Sequence, residues 1–345
     1  MRAVISPLEN PGRGTAELAV IDKGAAVAPD FQPGTRLVKV IYIAGYGRSG
    51  TTLLDIGLGE YPGIMGGGEI STLARHVWAN GEYCACGALV HRCPVWSDIV
   101  AEWLDGEPTT LLDEYRRAQE QTETIVSLGR LVERFGSHDH AGRTAKLFRS
   151  IAAHSGRPVV VDSSKLPGRA FALAGIPGIQ LHVVHVVRDA RGVAWSLKQG
   201  FKRQVDKGLQ RELRPKSLLY TAVRWGIVNI ATEFLRRRVG ANRSIRVRYE
   251  DFVADPRGTL DRIVSLVEQS ETIPTQRDQP VALTPQHQVA GSRHRMQSEI
   301  TVRHDERWKA QMPAWQQYFV ALVCAPLLWR YGYRLRSQRA TEHDA

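Results

Sequence analysis

The 345-residue chain has no apolar run long enough to span a membrane. The longest one near its C-terminus, Tyr318 to Trp329, falls well short of the roughly 20 residues such a helix needs. Residues 1–35 also lack an apolar signal core and carry scattered Pro, Gly and Asp, so no signal peptide is read there. The expectation is a cytoplasmic protein with a mobile N-terminal arm and no integral membrane segment. Cysteine is scarce: Cys84, Cys86, Cys93 and Cys324 are the four in the chain. Three of them cluster, with His91 close by. Three thiolates and an imidazole make one reading a zinc site. Their spacing matches no finger or ribbon, however, and structural or redox-sensitive thiols, or one disulfide, fit it better. No base-reading motif accompanies the net charge of +11, so nucleic acid is not the expected partner. The charge does imply affinity for anions, whether a membrane surface or a polyanionic cofactor or substrate. Hydrophobic content of 43% and charged content of 23% are those of a globular domain with a substantial core.

The most informative absence is a single lysine. Val38 to Ile43 read as a short buried strand, Gly45, Gly47 and Gly50 turn the chain, and Leu53 and Leu54 begin a helix. Strand, glycine turn and helix N-terminus build an anion cradle, because backbone N–H groups converge there and the helix dipole favours negative charge. A nucleotide-triphosphatase loop needs lysine at position 51, where this chain has Thr51. A dinucleotide fingerprint fits the three glycines, but Glu69 follows Gly66-Gly67-Gly68 instead of ending an apolar strand. A loop with Arg48 and the hydroxyls of Ser49, Thr51 and Thr52 suits a 5′-phosphate that carries a second anionic group.

The stretch Gly-x-x-Arg-Ser-Gly-Thr-Thr-Leu resembles the 5′-phosphosulfate loop of sulfotransferases that use 3′-phosphoadenosine 5′-phosphosulfate (PAPS). With Arg48 it is most similar to the bacterial, tyrosylprotein and carbohydrate branches. Bacterial members carry a stretch like the Cys-x-Cys-Gly…Cys-Pro-x-Trp of residues 84–96. Two further strand-and-turn units extend the likeness. Val159 to Asp162 end in Ser163, Ser164 and Lys165, at the strand end where ligands bind in open α/β sheets. Leu181 to Val187 lead into Arg188-Asp189, with Ser196 following, and this is similar to the family's 3′-phosphate signature. Tyr249 in Tyr-Glu-Asp-Phe, and Gly291 and Arg295 in His-x-x-x-Gly-Ser-x-x-Arg, match later family positions, although the family carries Asn where this chain has Ser292.

Four strands, at 38–43, 158–162, 181–187 and 244–248, alternate with helices. The pattern predicts one three-layer, P-loop-like α/β domain over 36–334 with a mainly parallel sheet, followed by a frayed tail at 335–345. Residues 94–152 read as amphipathic helix, broken at Gly136-Ser137-His138-Asp139-His140; the His-x-His pair there could ligate metal but reads better as an exposed polar loop without a role. Residues 217–239 read as an amphipathic helix and 313–330 as one packed in the core. Residues 201–216 are basic and suit the acceptor side; 270–284 read as a loop.

The resemblance implies sulfuryl transfer to a hydroxyl on a small-molecule, carbohydrate or lipid-linked acceptor, releasing PAP. It implies that Gly47, Arg48, Ser49, Gly50, Thr51 and Thr52 hold the 5′-phosphosulfate. Arg188, Ser196, Tyr249, Gly291 and Arg295 would hold the 3′-phosphate end. Glu69 would be the base, its pKa raised by burial beside substrate, with Asp162 as the alternative. Lys165 and Arg48 would stabilise the developing charge, with no metal required. A P-loop nucleotide kinase or NTPase, a nicotinamide oxidoreductase and a non-catalytic PAP- or anion-binding protein are the competing expectations.

Overall fold

A strand that is apolar at nearly every position can be buried on both faces, which is how the centre of a parallel sheet is made. Strand β1 (Val38–Gly45) does this. Val38, Val40, Tyr42 and Ala44 enter one core, while Ile41 and Ile43 enter another on the opposite face. A computed structural model describes residues 37–123, 138–200, 202, 204, 212–268 and 282–334. The expected arm at 1–35, the tail at 335–345, most of the basic stretch 201–216 and most of the 270–284 loop lie outside the described residues.

The main sheet has five strands in the order β2-β3-β1-β4-β5. Every neighbouring pair is parallel. Strands β3 (Val159–Lys165), β4 (Ile179–Val187) and β5 (Ser244–Arg248) fall where the apolar runs predict them. Strand β2 (Ile64–Gly66) was not expected; three residues are too few to show a period, and pairing with β3 defines them. A two-stranded antiparallel ribbon, β6 (Ala282–Leu283) with β7 (Ile300–Thr301), lies outside the sheet.

Helices cover both faces. Helices α2 (Pro94–Leu104), α3 (Thr110–Thr122), α4 (His138–Ser155) and α5 (Pro167–Leu173) build one core around Trp96, Trp103 and Phe148. On the other face, α1 (Thr51–Gly59), α8 (Tyr249–Ala254) and α9 (Pro256–Glu268) pack around Leu54, Phe252 and Ile263. A third cluster centred on Trp225 joins α6 (Ala190–Gln199), α7 (Leu218–Val239), α10 (Arg307–Gln311) and α11 (Ala314–Arg330). This is the expected three-layer α/β architecture.

The helical details differ from expectation in three places. His138-Asp139-His140 is not an exposed loop but the first turn of α4, with His140 buried and 3.4 Å from Glu123. Helix α7 is not cleanly two-faced. Trp225 and Leu235 are buried, yet Ile227, Ile230 and Phe234 face solvent. Core packing also accounts for only one side of α11, where Leu322 and Trp329 are 77% and 82% exposed. Among the described residues no helix is long and apolar enough to cross a membrane.

The chain leaves β1 toward β2 and β3 and then crosses to β4 and β5. The carboxyl end of β1, between β3 and β4, is therefore the topological switch point where a crevice must open.

Candidate active site

The loop 45–50 stands at that switch point. Gly45 and Gly50 are needed there for steric reasons. A Cβ on Gly45 would lie 2.3 Å from the Val186 carbonyl oxygen of β4, and one on Gly50 (φ 85°) would lie 2.6 Å from the Tyr249 ring. Gly47 has open space around it instead. Arg48 adopts φ 70° without being glycine, a strain on the order of 1–3 kcal/mol that the surrounding contacts must hold. Gly50 gives α1 no side-chain cap. The first N–H groups of that helix therefore keep their electrostatic pull toward the loop. Ser49 is 1% exposed and its hydroxyl has no partner among the described residues. A buried orphan hydroxyl beside an uncapped helix end fits an anionic oxygen.

The strand ends bring the other predicted residues to this loop. Arg48 Nε donates to Ser196 Oγ at 2.8 Å, joining the loop to α6. Arg188, at the end of β4, donates to the Arg48 carbonyl at 2.9 Å and lies 4.4 Å over the Tyr249 ring. Its acid partner is neither Asp189, which pairs with Arg191, nor Asp162, which pairs with Arg169. It is Asp305, which sequence reasoning missed, with Nη2 donating to the backbone carbonyl at 2.8 Å and the carboxylate at 3.3 Å. Burial first, then the charges of Arg188 and Arg293, lowers the pKa of Arg48. The Arg48 and Arg188 guanidinium groups thus meet at the loop, with Asp305 as counter-charge to Arg188. A cavity of about 310 Å³ opens beside Tyr249 and Asp305, also lined by Arg191, Arg248 and Trp308.

On the β3 side, Lys165 and Glu69 form a direct ion pair. Lys165 adopts φ 73° at the strand end, which turns its side chain toward Glu69. Glu69 does not cap the short turn that follows it through its side chain. Its backbone N–H donates to the Val289 carbonyl at 2.8 Å. The segment carrying Val289 continues to Gly291, where a Cβ would lie 3.2 Å from Thr52 Oγ1 and 3.5 Å from Glu69 Oε1. Ser292 N–H donates to Thr52 Oγ1 at 3.2 Å. Ser292 in place of the family's Asn thus makes its contact through the backbone.

Two predicted residues have their own partners. Arg295 shares none of the hydrogen-bond partners described for Arg188. It is buried, and Nη1 donates to the Tyr83 carbonyl at 2.7 Å. Burial lowers its pKa, and the acidic groups that oppose this are Cys84, Glu82 and Glu69. Arg295 shares the short helical turn Arg293–Met296 with Arg293, which is exposed and whose charge acts on Arg48. Asp162 lies fully buried beneath the site. Its carboxylate accepts from Arg169 Nε at 2.7 Å and from the Ser164 N–H at 3.0 Å, and Arg169 in turn donates to Glu123. That network, with Arg169 and Glu123 unforeseen from sequence, occupies the Asp162 carboxylate.

Asp55 of α1 was also missed. It is fully buried and accepts the Gly68 N–H at 3.0 Å, fixing the glycine run before Glu69. Burial pushes its carboxyl up to about 7 against the hydrogen bonds of Ser163 and Gly68. The cysteines are unbonded to one another. Cys84, Cys86 and Cys93 gather around His287 and not His91, whose ring packs edge-on against Trp78 at 4.4 Å.

Comparison with known proteins agrees with this architecture. The sulfotransferase domain of the olefin synthase of Synechococcus PCC 7002 superposes with a TM-score of 0.50 at 20% identity, covering 89% of this chain and 98% of that one. The sulfotransferase domain from the curacin biosynthetic pathway gives 0.50 at 17% identity, covering 87% of this chain and all of the other. At such identities the likeness is one of fold. No curated protein sequence matches the chain closely enough to add to this. The sulfotransferase family model matches residues 41–272, well over half of the length, and the chain therefore belongs to the sulfotransferase family.

Proposed function

We propose that the protein transfers a sulfuryl group from PAPS to an acceptor hydroxyl, releasing PAP and a sulfate ester. The observation that carries this reading is the adjacency of the Glu69–Lys165 pair to Thr52 of the lysine-free cradle, across Gly291. A base and a cation next to a phosphate cradle suit group transfer from a phosphosulfate. Residues 47–52 supply N–H groups, hydroxyls and the Arg48 guanidinium to the 5′-phosphosulfate. Arg188, Ser196 and Tyr249 serve the 3′-phosphate end, and Arg293, whose charge acts on Arg48, joins them in place of Arg295, which is held by the Tyr83 carbonyl. Glu69 accepts the acceptor's proton as its oxygen bonds to sulfur. The bond from sulfur to the bridging phosphate oxygen breaks, and Lys165 and Arg48 stabilise the charge left there. Supporting Glu69 over Asp162 is the engagement of the latter with Arg169 and Ser164. The acceptor belongs to the small-molecule, carbohydrate or lipid-linked hydroxyl class.

Calorimetry with PAP, magnesium-ATP and NAD tests the donor. Micromolar PAP binding without magnesium is expected; binding of ATP or NAD with none of PAP overturns the reading. Glu69→Gln tests the base. It is expected to lower transfer from radiolabelled PAPS about a hundredfold or more while leaving PAP affinity unchanged. Full activity in that variant removes Glu69 from the role.

A further inference from the structure

Beyond the cradle, four metal-binding side chains converge from separate parts of the chain. Cys84 and Cys86 lie on a tight turn, Cys93 precedes α2, and His287 comes from the segment after β6. Their ligand atoms all lie within 4.8 Å of one another. The Cys86 and Cys93 sulfurs are 3.8 Å apart, and His287 Nδ1 lies 3.8 Å from Cys84 Sγ and 3.3 Å from Cys93 Sγ. A tetrahedral zinc with Zn–S about 2.3 Å and Zn–N about 2.0 Å has S···S edges of about 3.8 Å and S···N edges of about 3.5 Å. A disulfide requires about 2.0 Å between sulfurs. We infer that Cys84, Cys86, Cys93 and His287 form a structural zinc site.

The surroundings suit a thiolate-rich metal centre. Helix α2 begins immediately after Cys93, and a helix N-terminus favours the negative charge of a thiolate. Trp96 Nε1 donates to the His287 carbonyl at 2.6 Å and fixes the backbone of the fourth ligand. Three thiolates around a divalent ion leave one net negative charge. Arg295 is buried and its Nη1 donates to the carbonyl of Tyr83, the residue before Cys84, so a guanidinium stands beside the cluster as counter-cation. Soft sulfur donors with one imidazole favour zinc over magnesium or calcium. Four protein ligands leave no open coordination position, so the ion is structural and takes no part in transfer.

The site also explains how a distant segment is held. Val289, two residues past His287, pairs with both Gly68 and Cys84, and Ala85 N–H donates to the Gln288 carbonyl at 3.1 Å. The ion ties this segment to the cysteine turn, and the segment in turn holds Glu69 and reaches Thr52.

The test reads metal content, thiol state and spectra, so it stands or falls apart from sulfuryl transfer. The full chain, purified under reducing conditions from zinc-supplied cells, is expected to carry about one zinc by elemental analysis. Cys86→Ser and His287→Asn are expected to lose most of it, with Cys324→Ser as the control that keeps it. Cobalt substituted into the wild-type chain is expected to show the strong visible bands of a tetrahedral thiolate complex, a readout independent of how the variants fold. Less than about 0.1 zinc per chain together with absent cobalt bands overturns the site. A disulfide among Cys84, Cys86 and Cys93 in the reduced preparation does the same.

Discussion

Ser49 and Asp55 sit on either side of the start of α1, and each holds a buried polar group in an unfavourable state. The Ser49 hydroxyl lacks a partner among the described residues, and leaving such a group unsatisfied costs about 1–3 kcal/mol. Ser49→Ala is therefore expected to unfold no more easily than the wild type, yet to bind PAP about tenfold more weakly, roughly 1.4 kcal/mol. Denaturant unfolding and calorimetry on the same sample separate the two, and an unchanged PAP affinity counts against the hydroxyl's role. Asp55 is raised to about 7 by burial, while the unfolded carboxyl titrates near its ordinary value of about 3.9. Between those values the unfolded chain has lost a proton that the folded chain keeps. Asp55 therefore makes stability fall as pH rises from about 4 to about 7, and not beyond. Asp55→Asn is expected to match the wild type near pH 4 and exceed it at pH 8 by on the order of 4 kcal/mol. An equal difference at both pH values in urea unfolding rules this out. At this scale the sequence was only partly readable. The hydroxyl cluster and Arg48 announce themselves by spacing, whereas Asp55 looks like any acid on a helix until Gly68 is brought to it. His287 is hidden for the same reason: its cysteine partners are about 200 residues away, and His91 is the nearer decoy.

Strands and helices carry a clearer signal. β1, β3, β4 and β5 are legible because β-branched runs bounded by polar turns have few other structural uses. β2 is not, because its three residues owe their conformation to β3. The apolar residues on the open sides of α7 and α11 defeat a periodicity argument, since hydrophobicity on both faces imitates full burial. The loop glycines divide by what lies beside them. Gly45→Ala drives a Cβ into the backbone of β4, so it is expected to cost about 3 kcal/mol and to lower the melting midpoint by roughly 6 °C or more. Gly47→Ala meets open space and is expected to stay within about 0.5 kcal/mol of wild type. Calorimetric melting of the pair checks both; equal midpoints contradict the packing described for Gly45.

For the whole molecule, the net charge of +11 and the guanidinium groups around the cradle attract an anionic ligand before contact. A polyanion is steered by such a field, and screening shortens its reach from about 30 Å at 0.01 M salt to about 8 Å at 0.15 M. The association rate of PAP is expected to fall severalfold over that range while its dissociation rate changes little. Stopped-flow binding at both salt concentrations decides it, and a salt-independent association rate refutes steering.

The pairing of Val289 with Gly68 and Cys84 has a consequence for how the protein is made. Synthesis proceeds from the N-terminus, and domains begin to fold as they emerge. The five strands of the sheet are all present once β5, ending at Arg248, has left the ribosome. Gly68 and Cys84 must still wait for residue 289. A nascent chain can therefore own a complete sheet while the backbone that holds Glu69 is still to come, and the later segments, with Asp305 and helices α10 and α11 among them, finish both the site and the core.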